Sequence, residues 1–256
     1  MRAIEERLRP YAGEHPAVFR LEKWLQIYAG KHPAVFYSLY RLARKDPARV
    51  VTPDTQLVME GFPRSANSFA RVAFSKAQSE KVRIAYGLHV PAQVVLAARW
   101  RIPTLVLIRK PKDAVLSFAV RDPLSVDQAL KYYLSFYETV EKYRDAYVLG
   151  RFEEVTGDFG QVIQRVNHRF GTTFSPFRHD EQNVAEVFAR LERNTRKRFG
   201  ETHWENKVSR PSAARERTKH EVGYDPEDPK RRELIARAET VYDRLISPTN
   251  SPAAER

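Results

Sequence analysis

Two short segments of this sequence combine basic and hydroxyl side chains at a spacing suited to binding anions. The first is the turn Gly61-Phe-Pro-Arg-Ser-Ala-Asn-Ser-Phe69, which lies between an apolar run and a predicted helix. Backbone N–H groups at such a turn and at a helix N-terminus attract phosphate or sulfate, and the Arg64 guanidinium matches two anionic oxygens. The turn lacks the G-x-x-x-x-G-K-[ST] pattern of a Walker A loop. The alternative is a plain polar turn in which Asn67 or Ser68 caps the helix.

The second segment is Leu107-Ile-Arg-Lys-Pro-Lys-Asp-Ala-Val-Leu-Ser-Phe118. Arg109 directly follows an apolar strand, and Pro111 begins a helix that carries Lys112 and Ser117. In the simplest interpretation these residues are solvated charges and a neutral helix residue. The place of Arg109 at the end of a buried strand favours an anion-binding role instead.

One histidine stands between these two segments in the chain. His89 begins His89-Val-Pro91, directly after a predicted strand. An unperturbed imidazole is largely deprotonated at neutral pH and can accept a proton, so His89 is the candidate general base. The alternatives are that His89 is only a turn residue before proline, or that His203, beside Trp204, is the base.

The elements that would position these residues alternate along the chain. Apolar runs predict strands at 56–60, 83–88, 104–108 and 147–152, and amphipathic stretches predict helices at 68–78, 91–99, 111–120 and 126–146, after residue 184 and at 229–245. This alternation is typical of an α/β fold with a central parallel sheet flanked by helices. Ligands of such sheets bind beyond the carboxyl ends of the strands, where Gly61, His89 and Arg109 stand. We therefore expect one site at that edge.

In this combination the sequence resembles the sulfotransferases that use 3′-phosphoadenosine-5′-phosphosulfate (PAPS). The 5′-phosphosulfate loop of that family typically reads P-[KR]-S-G-T-[TS]-[WFL], and Pro63–Phe69 follows it with alanine and asparagine in place of glycine and threonine. The 3′-phosphate motif of the family reads R-[ND]-P-[KR]-D-x-x-x-S, and Arg109–Ser117 keeps the same interval. His89 matches the histidine of the family's H-[LV]-P segment. The resemblance covers about residues 55–220.

The resemblance implies an enzyme with the P-loop-nucleotide-hydrolase-like sulfotransferase fold. It would move a sulfuryl group from PAPS to a hydroxyl or amine and release 3′,5′-adenosine bisphosphate (PAP), with His89 and Arg64 as catalytic residues. No metal is expected, and the acceptor would be a small molecule or a carbohydrate. The nucleotide-binding residues that it implies are Arg64, Ser65, Ala66, Asn67, Ser68 and Phe69 at the 5′-phosphosulfate, Arg109 and Ser117 at the 3′-phosphate, Phe152 near the adenine, and Arg210 and Arg215 in a covering loop.

The sequence departs from the family pattern at two positions. Cytosolic members often have a lysine two residues before the base, where this chain has Gly87. Stabilisation of the bridging oxygen is then missing or falls to Arg64 alone. Ala66 in place of glycine requires a loop that needs no positive φ at that residue.

Two other classes of function compete with this interpretation. A P-loop kinase or nucleotidase normally holds Mg²⁺ with a loop hydroxyl and an acid that follows a strand, whereas Arg109 follows the third predicted strand here. A nucleic-acid-binding protein is favoured by the formal net charge of +12. The basic residues of the motifs fall singly at strand ends rather than in one stripe, so we expect no nucleic-acid partner.

The composition limits the remaining possibilities. The 256 residues include no cysteine, which excludes disulfides, thiolate catalysis and cysteine metal sites and fits a cytoplasmic protein. No apolar run approaches the ~20 residues of a membrane span, and the N-terminus has no signal-peptide pattern. We therefore expect a cytoplasmic enzyme without a membrane span, and its oligomeric state is left open.

We divide the chain into an N-terminal helical segment, residues 1–50, and a sulfotransferase-like domain, residues 51–256. Tyr11-Ala-Gly-Glu-His-Pro-Ala-Val-Phe19 recurs as Tyr28-Ala-Gly-Lys-His-Pro-Ala-Val-Phe36. In each copy we expect a helix to stop at the glycine and to restart at the proline. We interpret the repeat as a duplicated helical segment packed on the main domain, with a docking surface as the alternative.

Two further stretches carry predictions. Residues 190–219 contain ten Lys or Arg and are predicted to be irregular. Within them, we expect residues 207–219 to close over the nucleotide. The alternatives are that this charge binds an anionic acceptor or forms a solvated face. Aromatic and apolar residues at helical spacing predict part of the core, with an acceptor-pocket wall as the alternative. They are Tyr133, Phe136, Tyr137, Val140, Tyr143 and Tyr147.

Overall fold

The computed structural model describes residues 27–42, 46–122, 124–200, 224–225 and 227–247. Four strands in this part of the chain form one parallel sheet in the order β2-β1-β3-β4. The strands are β1 (Leu57–Gly61), β2 (Ile84–Tyr86), β3 (Thr104–Ile108) and β4 (Val148–Arg151). The helices are α1 (Pro33–Leu42), α2 (Asn67–Ala77), α3 (Pro91–Trp100), α4 (Pro111–Arg121), α5 (Val126–Glu141), α6 (Phe152–Gly157), α7 (Phe159–Phe170), α8 (Glu181–Phe199) and α9 (Pro229–Ile246). The prediction of a central parallel sheet flanked by helices is confirmed.

The sheet is buried on both faces. All residues of β1 and β3 are buried, which is typical of parallel strands covered by helices on either side. Leu105 and Leu107 point to one face and Val106 and Ile108 to the other, because successive side chains of a strand alternate. Helices α2, α7 and α8 cover the first face, and α4, α5 and α9 cover the second.

The strand register brings the carboxyl ends of the strands to one edge. In the ladder between β1 and β3, Gly61 lies opposite Leu107, and in the ladder between β3 and β4, Ile108 lies opposite Arg151. The segments that leave β1, β2 and β3 therefore start from the same edge of the sheet. Residues far apart in sequence become neighbours there.

Strand β2 is shorter than the sequence predicts. It ends at Tyr86, because Gly87 has a φ of +66° that turns the chain away from the extended conformation. The Leu88 N–H then donates to the Glu60 side chain at 2.9 Å. The chain thus leaves the sheet two residues early and turns toward β1.

Strand β4 ends at Arg151, and Phe152 is the first residue of a helix rather than the last of the strand. The Glu154 carboxylate accepts the Arg151 N–H at 2.9 Å and caps α6. The sequence predicted neither α6 nor α7.

Two helices differ from their predicted ranges. Helix α5 ends at Glu141, and a 3₁₀ turn at Arg144–Ala146 follows it. Helix α8 continues to Phe199, so the first ten residues of the basic stretch are helical rather than irregular. Val187 and Leu191, four residues apart, are buried against the sheet, and this apolar face holds the helix together despite its charge.

The second copy of the repeated segment follows the predicted pattern. Its helical residues end at Ala29, and α1 begins at Pro33. Phe36 and Tyr40 pack on the segment after β2, against Leu88 and other apolar residues, so α1 contacts the main domain. The first copy lies outside the described residues. Within the described ranges, the helices are too short or too polar for any of them to traverse a bilayer.

Candidate active site

The turn between β1 and α2, residues 62–66, forms the centre of the site. Arg64 and Ala66 have φ values of 70° and 65°, in the left-handed region that glycine prefers. The Ser65 N–H closes the turn onto the Phe62 carbonyl at 3.3 Å. Ala66 is the N-cap of α2 and makes no side-chain capping hydrogen bond, so the first amides of α2 are not satisfied by a cap. Such a helix start attracts anions.

The turn overturns one alternative and one expectation of the sequence analysis. Ala66, and neither Asn67 nor Ser68, occupies the N-cap position. Ala66 also has a positive φ, whereas the presence of alanine led us to expect that the loop needs none at this residue. An L-residue in this conformation costs about 1–2 kcal/mol, so the surrounding contacts must hold the turn in a strained state.

The basic segment after β3 meets this turn directly. The Arg64 Nε donates to the Ser117 hydroxyl at 2.9 Å. The Arg109 Nη1 donates to the Arg64 carbonyl at 3.4 Å. Two guanidinium groups and one hydroxyl from the two predicted anion-binding segments therefore lie together at the carboxyl edge of β1 and β3.

Phe152 stands beside Arg109 at the next strand of the sheet. The Arg109 Cζ lies 4.0 Å from the centroid of the Phe152 ring, in cation–π contact. Successive contacts thus link Phe152 to Arg109, Arg109 to Arg64 and Arg64 to Ser117 at this edge.

His89 faces the same turn from the β2 side. Its Nδ1 lies 2.8 Å from the Gly61 carbonyl oxygen. A carbonyl can only accept a hydrogen bond, so this contact assigns the hydrogen to Nδ1 and the basic lone pair to Nε2. The backbone of His89 has a φ of 57°, a third left-handed residue at this site.

Glu60 is a site residue that the sequence analysis missed. Its side chain is 0% exposed in the middle of the sheet. It accepts hydrogen bonds from the N–H groups of Leu88 and His89, both at 2.9 Å, and from the Gln93 amide at 3.0 Å. Burial raises the pKa of Glu60 to about 7, although these hydrogen bonds and the charge of Arg49 oppose the shift. The sequence signal was a single acid at the end of an otherwise apolar strand.

Tyrosines of α5 fasten the backbone of each site segment. The hydroxyl of Tyr132 donates to the His89 carbonyl at 2.7 Å, and that of Tyr133 donates to the Arg109 carbonyl at 2.9 Å. Tyr137 donates to the Leu107 carbonyl at 2.7 Å. The prediction that the aromatic stripe belongs to the core is confirmed, because five of its six residues are buried and half-buried Tyr143 packs against the same core. The hydroxyls of Tyr133 and Tyr137 give the stripe a second role as anchors of the site, together with that of the neighbouring Tyr132.

The remaining loop residues turn their side chains inward. Ser65 is 0% exposed, and its hydroxyl lies 3.4 Å from that of Tyr137. Asn67 donates from Nδ2 to the Phe62 carbonyl at 2.9 Å, and Phe69 packs in the core of the first face. In this conformation these residues, with half-buried Ser68, offer the site mainly their backbone N–H groups.

Arg49 lies beside Gly87, the position where the family pattern often has a lysine. A Cβ built on Gly87 would approach the Arg49 Nη2 to 3.0 Å, and this nitrogen also donates to the Gly87 carbonyl. A cation from a distant part of the chain therefore stands next to the backbone that leads to His89. Arg210, Arg215, His203 and the predicted lid 207–219 lie outside the described residues.

No protein-family model and no curated protein sequence matches this chain. Among solved structures, the chain is similar to the crystal structure of the mouse sulfotransferase SULT7A1 complexed with PAP. The identity is 12%, the TM-score is 0.43, and the match covers 76% of this chain and 90% of that chain. A likeness at this level does not transfer an activity.

Proposed function

We propose that this protein is a PAPS-dependent sulfotransferase that moves a sulfuryl group to a hydroxyl or amine of a small-molecule or carbohydrate acceptor and releases PAP. One observation carries the proposal. The segment that resembles the 3′-phosphate motif of the family contacts the turn that resembles its 5′-phosphosulfate loop, and the histidine that resembles its base contacts the strand residue just before that turn. These contacts are Arg64 to Ser117, Arg109 to the Arg64 carbonyl, and His89 to the Gly61 carbonyl.

The hydrogen-bond donors of the site suit a nucleotide with anionic groups at two ends. Arg64 and the uncapped amides that begin α2 would hold the 5′-phosphosulfate. Arg109 and Ser117 would hold the 3′-phosphate, one strand farther along the sheet. Phe152 would lie near the adenine, and Arg109 packs against the Phe152 ring. Arg210 and Arg215 would cover the nucleotide from the basic segment.

PAPS supplies an activated sulfuryl group whose bond to the phosphate oxygen breaks as the acceptor bonds to sulfur. In this proposal His89 receives the acceptor proton on Nε2 while the new bond forms. The Gly61 carbonyl keeps the other ring nitrogen protonated and holds the imidazole in one orientation. Arg64 and the α2 amides stabilise the negative charge that develops on the leaving phosphate. Proton and charge are thereby balanced without a metal.

Nucleotide discrimination tests the proposal. PAP should raise the melting temperature more than AMP or ATP, without added Mg²⁺, because only PAP carries a 3′-phosphate for Arg109 and Ser117. Arg109→Ala should weaken PAP binding by about 2–4 kcal/mol and leave AMP binding nearly unchanged. Arg83→Ala is the matched control, since Arg83 is exposed and pairs with Asp54 before β2. Equal stabilisation by ATP and PAP, or a strict need for Mg²⁺, would rule out the sulfotransferase proposal.

A further inference from the structure

The order of the strands assigns a side of the sheet to the acceptor, if the proposed function holds. Along the carboxyl edge, Phe152 stands at β4, Arg109 at β3, the Arg64 turn at β1 and His89 after β2. The nucleotide would occupy the β4-to-β1 part of this row. An acceptor whose proton goes to His89 would therefore lie on the β2 side.

Arginines gather at that side around one aromatic ring. Tyr86 is the last residue of β2. The Cζ of Arg71, from α2, lies 4.8 Å from the centroid of its ring, and the Cζ of Arg49 lies 5.6 Å from it. Arg190 lies on α8, which packs against α2, and its positive charge lowers the pKa of Arg71. We call Arg49, Arg71 and Arg190 the β2 arginine cluster.

The β2 arginine cluster has little compensating negative charge. No salt bridge joins any of its three members to an acid within the ranges that the structure describes. Burial lowers the pKa of half-buried Arg71, and repulsion by Arg190 and Arg49 lowers it further. The Nε of Arg49 is buried and lacks a hydrogen-bond partner in the same ranges. Neighbouring like charges that are partly removed from water are unfavourable unless an anion joins them.

Glu60 carries a charge that interacts with one member of the cluster, Arg49, but it neutralises the cluster incompletely. Its charge interacts with that of Arg49, yet its carboxylate is occupied by Leu88, His89 and Gln93. Its pKa of about 7 also leaves it only partly ionised near neutral pH. A net positive charge therefore remains around Tyr86, beside the segment that carries His89.

We infer that the β2 arginine cluster binds an anionic group of the acceptor, so that the substrates are hydroxyl or amine compounds that already bear a carboxylate, sulfate or phosphate. The inference rests on the proposed function for the identity of the bound molecule as an acceptor. Arg71 and Arg190 hold the anion, and Arg49 links this position to the His89 segment through the Gly87 carbonyl. The Tyr86 ring keeps the two nearer guanidinium groups in place.

Sulfate binding to the PAP-saturated protein tests the inference, since PAP occupies the phosphate positions of the donor. Calorimetric titration with sodium sulfate, against sodium chloride at equal ionic strength, should detect one saturable site. Arg71→Gln should weaken sulfate binding at least tenfold, and Arg71→Lys should restore much of it. Arg190→Gln, at an exposed position, should weaken binding in a protein whose fold is unchanged. Arg99→Gln, at an exposed position at the far end of α3, is the matched control with the same change of charge.

The outcomes separate the two proposals. Equal sulfate affinity in Arg190→Gln and Arg99→Gln, or no saturable sulfate site in the unchanged protein, would overturn the anionic-acceptor inference while leaving PAP binding to stand. A protein that does not bind PAP would refute the proposed function, and the same titration without PAP would still report on the cluster. If Arg71→Gln fails to fold, Arg190→Gln and Arg71→Lys carry the test.

Discussion

The buried carboxylate of Glu60 accepts a hydrogen bond from the backbone N–H of His89 at 2.9 Å. The backbone of His89 is itself in the left-handed conformation. The candidate base is thus held by a group that is itself sensitive to pH. Burial is the largest influence on Glu60, and it favours the protonated carboxyl in the folded protein.

Stability should therefore depend on pH through Glu60. Its pKa rises from the ordinary 4.5 to about 7 on folding, so its contribution to stability is complete below about pH 4.5 and is lost as the pH rises to about 7. The loss should amount to about 3 kcal/mol. Urea unfolding of the unchanged protein and of Glu60→Gln at pH 4.5 to 8 measures it. The difference in unfolding free energy should fall across that window and then level off, and a difference that is constant with pH would contradict a raised pKa.

Ala66→Gly should stabilise the protein. Ala66 has a φ of 65°, and glycine adopts this conformation without a Cβ penalty, although it loses more entropy on folding. We expect a gain of about 0.5–1 kcal/mol in the free energy of unfolding by urea. The same substitution at Ala70, in the buried interior of α2, should destabilise by about 1 kcal/mol or more. If both variants lose stability, the left-handed conformation of Ala66 is not a source of strain.

His89→Asn should lower turnover strongly while preserving the fold. Asparagine tolerates positive φ better than alanine does, so this variant suits the φ of 57° at residue 89. We expect PAP affinity to stay within about threefold and turnover of a sulfated product to fall about 10²–10⁴-fold, the usual contribution of a positioned base. Near-normal turnover would make His89 a turn residue only, and His203 would then be the next candidate.

Tyr137→Phe should destabilise the protein by about 1–3 kcal/mol. The Tyr137 hydroxyl donates to the Leu107 carbonyl and accepts the Phe62 N–H at 3.3 Å, so its removal leaves two buried backbone groups without this partner. Thermal or urea unfolding measures the effect. Tyr143→Phe is the control, because Tyr143 is half-buried and its hydroxyl makes no hydrogen bond within the described residues, and it should change stability by less than about 0.5 kcal/mol. Equal effects in the two variants would mean that Tyr137 contributes through packing alone.

Several features of the site could be predicted from local sequence. The run Thr104–Ile108 is apolar at every position after Thr104 and forms the strand predicted for it, because burial on both faces favours that composition. The prolines at 91 and 111 mark helix starts, since a fixed φ and a missing N–H suit the first turn. The prediction that Gly61, His89 and Arg109 share an edge followed from strand direction alone. The contact of His89 with Gly61 and that of Arg109 with Arg64, in the turn after Gly61, agree with it.

Other features depended on contacts between distant residues. The strand order β2-β1-β3-β4 decides that Glu60 receives its donors from the segment after β2, and no pattern around residue 60 indicates this. The positive φ of Ala66 runs against the local preference of alanine, so only the surrounding fold can impose it. The end of β4 depended on the Glu154 cap, which competes with one more residue of strand.

Residue type and spacing were thus sufficient to predict most strands and helices of the sheet domain and the kind of chemistry at the strand ends. This is because periodicity and backbone stereochemistry act over a few residues. The burial of Glu60, the tyrosine anchors from α5 and the meeting of Arg49 with Arg71 around Tyr86 were decided only by the packed tertiary structure. Each of these joins residues that are tens of positions apart. Their energies exist only once the sheet has brought those residues into contact and removed the water between them.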